Sequence, residues 1–200
     1  MLPEVYPEIA ICWEHIPGEK ENFKKLYERM AVDHIDALKG NKVVAMISIS
    51  NVRRVIPVAV SDDVFLGSYT RLSQATLISD FYYPAIFLES DYYKTMLKNP
   101  VVRTNLYHEA GHLSMQHFNR NTTMEEIAQE RTAAKNAGEV VWQEREADAF
   151  ATHYVGKKTM LQHLNYLQKV VNNISFGTTR EQQQQEIRQR IQLIEELENV

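Results

Sequence analysis

Apolar residues recur along this chain with two different spacings, and the switch between them outlines the elements. Ile9 to Trp13 reads as a short strand. From Glu21 to Leu38 the spacing is helical: Phe23, Leu26, Tyr27, Met30, Ala31, His34, Ile35 and Leu38 form one stripe, stopped by Gly40-Asn41. Val43 to Ile49 and Val55 to Val60 are β-branched runs joined by a turn over Asn51 to Arg54, with Pro57 favouring an edge position. Residues 61 to 80 have no clear period. Ala85 to Glu89 reads as a further strand. After Asn99-Pro100, where Pro suits a first turn, the pattern is helical to the end of the chain. Thr122-x-x-Glu125 offers a capping box for a helix through about Lys135. Val140, Val141, Glu144, Ala147, Asp148 and Ala151 share helical spacing, and Met160 to Ile174 forms a strongly amphipathic helix. Thr178 or Thr179 opens a last helix to about Asn199, with Ile187, Ile191, Ile194 and Leu197 as a narrow apolar seam.

Two polar groups interrupt these stripes. Tyr107-His108-Glu109-Ala110-Gly111-His112 contains H-E-x-x-H. Positions four apart on a helix lie about 40° apart around the axis, one turn up. His108 and His112 therefore offer two imidazoles to one point, a spacing that suits a tetrahedral zinc ion, and Glu109 can reach a water there. Gly111 sits inside the helix, where Gly costs ~1 kcal/mol against Ala. A small residue there lets another backbone or a substrate come close. Downstream, Glu144 and Asp148 share a helix face in Glu144-Arg145-Glu146-Ala147-Asp148. One carboxylate can serve as the third metal ligand, while the other accepts a hydrogen bond from the far nitrogen of a ligand histidine. His117, about 140° round the helix from His112, is a poor fourth ligand; it reads as a cap or as a residue behind the ligands.

H-E-A-G-H followed by E-x-E-A-D-x-F-A resembles the gluzincin metallopeptidases. It is similar to the soluble ImmA/IrrE-type peptidases, which carry a further His soon after the motif, and to the catalytic core of the HtpX and CAAX prenyl proteases. The likeness covers Leu106 to Tyr154. It implies His108, His112 and Glu144 as ligands of Zn²⁺, Glu109 as general base and Asp148 as hydrogen-bond partner of a ligand. Glu146 is the rival third ligand; Glu144 is preferred because Asp148 follows it by four. Tyr154 is assigned as a catalytic donor to the oxyanion, with His153 and Tyr107 as the other candidates. The implied fold is α+β and zincin-like: mainly helical, with a small N-terminal mixed sheet and the motif on an active-site helix. Residues 85 to 89 are expected either to edge the cleft and pair with extended peptide, or to be an ordinary core strand. Residues 1–177 are read as the metallopeptidase domain. Residues 178–200 are read as a C-terminal amphipathic helix packed on that domain or on a partner, a homodimer being one arrangement.

Composition narrows the class. The chain has 200 residues, 44% of them hydrophobic, enough for a sizeable core. A net charge of −4 argues against nucleic acid as the main partner. The single cysteine, Cys12, excludes an internal disulfide and reads as a small buried apolar residue. Likewise His34, His163 and Tyr166 read as packing residues on their stripes. No basic-then-apolar leader opens the chain, and apolar runs reach only about five residues, against the roughly 20 of a membrane span. The expectation is a cytoplasmic protein without a membrane span that acts on a protein or peptide. The expected chemistry is zinc-dependent endopeptidase activity. The alternatives are a regulatory peptidase specific for one protein and a non-catalytic, metal-stabilised interaction protein.

Overall fold

The computed structural model describes residues 5–30, 38, 40–61, 75–80, 83–115, 117, 124–137, 140–173 and 177–197. The chain divides into two compact units, Val5–Lys98 and the chain from Asn99 onward. The last helix, read from 178 onward, belongs to the second unit.

The first unit is a five-stranded mixed sheet with helices. Its strands are β1 (Ile9–Trp13), β2 (Lys42–Ile49), β3 (Ile56–Val60), β4 (Ala75–Asp80) and β5 (Tyr83–Leu88), in the order β1-β2-β3-β5-β4. Only β3 and β5 run parallel. The β-branched runs form strands because they bury: Val44, Ala45, Met46, Ile47, Ile56, Val58, Ile86 and Leu88 are all fully enclosed. Helix α1 (Lys20–Tyr27) lays Phe23 and Leu26 against a cluster containing Met30, Leu38, Met46 and Phe87, and α2 (Ser90–Lys98) buries Tyr92 and Met96.

Two expectations need correction here, and one open alternative is decided. The α1 helix ends at Tyr27, eleven positions short of Leu38, and turns replace it from Glu28 to Met30. Helical spacing marks a face and not an end; Ala31, His34 and Ile35 lie outside the described residues. Second, β3 is interior. Pro57 is tolerated because the ladder to β5 starts only at Val58, so its missing N–H falls where no partner waits. Third, the strand over 85–89 is a core strand. β5 pairs with β3 on one side and β4 on the other, leaving no free ladder for an added peptide. Cys12 is buried, as its residue type favours.

The second unit is helical. A 3₁₀ turn (Pro100–Arg103) leads into α3 (Thr104–Ser114), followed by α4 (Met124–Ala137), α5 (Trp142–Val155), α6 (Lys157–Asn173) and α7 (Gly177–Glu196). Asn99 caps the turn, its Oδ1 accepting from the Val101 N–H at 3.2 Å. Its core is built from Val102, Leu106, Ala110, Ala147, Phe150, Ala151, Met160 and Leu164, all fully buried. α7 packs on α6 and α5, burying Ile187 and Ile194 within its own chain. Lys157 Nζ donates to the carbonyls of Glu195 and Leu197 at 2.7 and 2.8 Å, satisfying acceptors that the end of α7 leaves open. Among the described residues no helix is long and apolar enough to cross a membrane.

Candidate metal centre

The H-E-x-x-H pair lies on α3, and the carboxylates come from α5. The two helices run against each other through small residues. A Cβ on Gly111 would stand 3.1 Å from Ala147 Cα and 3.1 Å from Phe150 Cβ. Gly111 is therefore a point of close approach, and the neighbour that its missing side chain admits is the α5 backbone. That approach brings Glu144 to the histidines.

His108 Nε2 and His112 Nε2 lie 3.1 Å apart, and His108 Nε2 lies 3.2 Å from Glu144 Oε2. His112 Nε2 is 3.7 Å from Glu144 Oε1. All the donor atoms fall within 4.8 Å of one another. Ligands about 2.0–2.1 Å from a tetrahedral zinc sit roughly 3.3 Å apart, so this spacing fits one ion with a position to spare. The donor set also fits: two imidazoles and one carboxylate is a zinc combination. His108 and His112 are nearly fully buried, and Glu109 is buried beside them on α3.

Each of the two histidines is held from behind by a different device. His108 Nδ1 lies 2.8 Å from Asp148 Oδ1. Asp148 in turn receives a bidentate guanidinium: Arg190 Nε donates to Oδ2 at 2.7 Å and Nη2 to Oδ1 at 2.6 Å. Arg190 Nη1 also stands 3.8 Å from Glu144 Oε2. His112 Nδ1 instead meets His117 Nδ1 at 2.8 Å, and His117 Nε2 lies 3.2 Å from Glu146 Oε2. The backbone makes this second contact possible: the His117 N–H donates to the His112 carbonyl as α3 ends, folding the ring back toward its own helix.

The electrostatics follow from these contacts. For Glu144, burial works against the charge, but the hydrogen bond from His108, both imidazoles and Arg190 outweigh it and hold the carboxyl well below its usual range. Asp148 is also lowered: burial opposes, and Arg190 and His108 win. For His108, burial favours the neutral ring, but hydrogen bonds to Asp148 and Glu144 raise it to about 10. In the absence of a metal, the proton on His108 and the charge on Arg190 balance the two carboxylates. A divalent cation held there would take over the proton's electrostatic role. Burial lowers His117 below its ordinary value despite the Glu146 contact.

The residues singled out from sequence are placed as follows. His108, His112 and Glu144 converge, and Asp148 bonds His108. Glu146, the rival ligand, pairs with His117 and not with the cluster of donors. Tyr154 stacks on Tyr107, with centroids 5.8 Å apart and planes at 20°, and also touches Phe150 and His153. All three donor candidates thus share one ring cluster. Tyr154 is ten residues past Glu144, about 15 Å of helix rise. Arg190 went unnoticed in the sequence. Its signal was present: it lies three after Ile187 and four before Ile194, a lone arginine on the apolar seam of the last helix.

No protein-family model, curated protein or solved structure matches this chain. The gluzincin-like pattern therefore stands on these residues and their geometry alone.

Proposed function

We propose that this protein is a zinc-dependent peptidase of the gluzincin kind, with a zincin-like helical unit. The observation that carries the reading is the meeting of His108, His112 and Glu144 donor atoms within 4.8 Å, on two separate helices, with an acid directly after the first histidine. His108, His112 and Glu144 would hold the ion. Bound there, zinc supplies a Lewis acid that acidifies water and polarises a carbonyl oxygen.

The remaining work falls to the chain. Glu109 takes a proton from the attacking water and returns it to the departing amine. Asp148 keeps the His108 imidazole in the tautomer that presents Nε2. Arg190 keeps Asp148 ionised and aimed. The substrate proposed is a protein or peptide, and the single-substrate regulatory form belongs to the same chemistry.

Elemental analysis should find one zinc per chain. Glu109→Gln should keep the metal and lose peptide hydrolysis by a factor of about 10² or more. Glu144→Ala should lose the metal. A purified chain that takes up no stoichiometric zinc, even after incubation with it, ends this proposal. Turnover unchanged in Glu109→Gln ends the role given to that residue.

A further inference from the structure

The sequence offers two glutamates, two residues apart, either of which could serve as a ligand, and the fold uses them differently. Glu144 joins the donor cluster. Glu146 faces His117, whose side chain is fully enclosed, at 3.2 Å. His117 in turn stands 2.8 Å from the far nitrogen of His112. Protonation states in this row are fixed by chemistry. A histidine that gives Nε2 to a metal carries its hydrogen on Nδ1. His112 Nδ1 is then the donor, so His117 Nδ1 must accept. A neutral ring that accepts at Nδ1 carries its hydrogen on Nε2, which points at the Glu146 carboxylate. Every nitrogen in the row finds a partner in one arrangement only. The edge of Trp142 closes one side of the His117 ring, with centroids 5.1 Å apart and planes at 83°. Trp142 itself is half-exposed.

We propose that His117 is the positioning residue for His112, and that Glu146 is the anchor fixing His117, so that the row His112–His117–Glu146 sets the aim of the second ligand. This role differs from that of Asp148. An imidazole acceptor adds no charge next to the ligand, so the relay supplies orientation with little electrostatic pull. The row acts on a ligand only if His112 is one, so the proposal rests on the metal-site reading above.

The test is binding of zinc, by competition with a chromophoric chelator, and of cobalt(II), by its visible absorption. Both are read on the full chain and on four variants, together with thermal unfolding of each in chelator. His117→Ala should weaken zinc about 10- to 100-fold, the usual cost of losing such a partner, and shift the cobalt spectrum. His117→Asn keeps an oxygen acceptor near the Nδ1 position and should recover most of the affinity. His117→Gln reaches Glu146 but offers nothing at Nδ1, and should recover less. Glu146→Gln still accepts from His117 and should bind zinc within about threefold of the parent, whereas a ligand loss would cost far more.

If the parent chain binds no zinc, the metal-site reading fails. If the parent binds and His117→Ala, still folded, binds within about threefold with an unchanged cobalt spectrum, the relay fails alone. Should His117→Ala not fold, the ranking of Asn against Gln decides: Asn tighter supports the relay, and equal or reversed affinities overturn it.

Discussion

The two histidines of the proposed metal site are held by arms that look alike on paper and differ in physics. Behind His108 stands a charged brace, Asp148 and Arg190, drawn from two helices and joined by two short hydrogen bonds. Behind His112 stands an imidazole, His117, with the carboxylate one step further back. The charged arm does two jobs. It aims the ring, and it pins α7 to the site across 42 positions of sequence. The neutral arm is local to the end of α3 and aims only the ring, with Glu146 of α5 as its anchor. Fold stability and metal affinity should therefore respond together when the first arm is cut, and separately when the second is.

The largest effect is expected from the first arm. Arg190→Met removes one partner of a buried ion pair and leaves Asp148 charged at 2% exposure with only His108 to answer it. Breaking a buried pair from one side costs about 3–5 kcal/mol. Zinc affinity should fall as well, because Asp148 is freed from its fork and the site loses a helix. Removing both charges, with Asp148→Asn added, should recover much of the stability but not the affinity, since the neutral pair no longer draws the His108 proton. Chemical unfolding in chelator and zinc competition separate the two quantities. If Arg190→Met unfolds within about 0.5 kcal/mol of the parent, the size of a neutral surface change, the brace contributes no stability. The contrast between the arms then disappears.

How much of this was legible beforehand differs residue by residue. His108, Glu109 and His112 could be read because their partners are four positions away or fewer, and helix geometry alone aligns them. Glu144 and Asp148 could be read for the same reason, once a second helix was assumed. The site's longer connections could not. Nothing local to Arg190 names Asp148 as its partner; only its place on an apolar seam marks it, and that mark is shared with arginines that merely lay their stems over a core. Strand order was equally hidden: the β-propensity of 85–89 says that it pleats, and nothing about having a neighbour on each side. The end of α1 at Tyr27 was missed because an apolar stripe runs on when a helix stops and the same face stays buried, as Met30 and Leu38 do.

A middle-sized effect should come from the contact that sets both arms at once. Gly111→Ala puts a methyl 3.1 Å from a backbone atom of α5, Ala147 Cα, which cannot rotate away. Overpacking costs about 1–3 kcal/mol, and the better helix propensity of Ala returns about 1 kcal/mol. A net loss of up to roughly 2 kcal/mol follows. The displaced α5 carries Glu144, Glu146 and Asp148 with it, so both arms and the third ligand shift together and zinc affinity falls. A variant more stable by about 1 kcal/mol, with parental zinc affinity, would show that the helices have slack and that glycine is dispensable there.

The effect least specific to either arm concerns what acid does beside the charged one. His163 on α6 is almost fully enclosed, and its Nδ1 has no hydrogen-bond partner. Burial first, then the nearby charges of Arg190 and His108, push it down to about 3, against the pull of Asp148 and a bond to the Val101 carbonyl. An unfolded histidine titrates near 6.5. Below that pH the unfolded chain takes up a proton that the folded one refuses, so stability falls as pH drops, at no more than about 1.4 kcal/mol per pH unit. His108 has the opposite sign. Raised to about 10, it holds a proton that the unfolded chain gives up above about 6.5. Without metal, its contribution is full below that pH and is lost as pH climbs toward 10. In chelator the stability curve should therefore peak near pH 6.5 and fall on both sides. With zinc the alkaline fall should vanish, because the ion has displaced the His108 proton. His163→Gln, which keeps a donor for Val101 and cannot be charged, should make the acid side shallower and leave the alkaline side unchanged, the remaining acid loss coming from the lowered Glu144 and Asp148. An acid limb as steep in that variant as in the parent would shift the blame to another group, with His117, also lowered, the first to test.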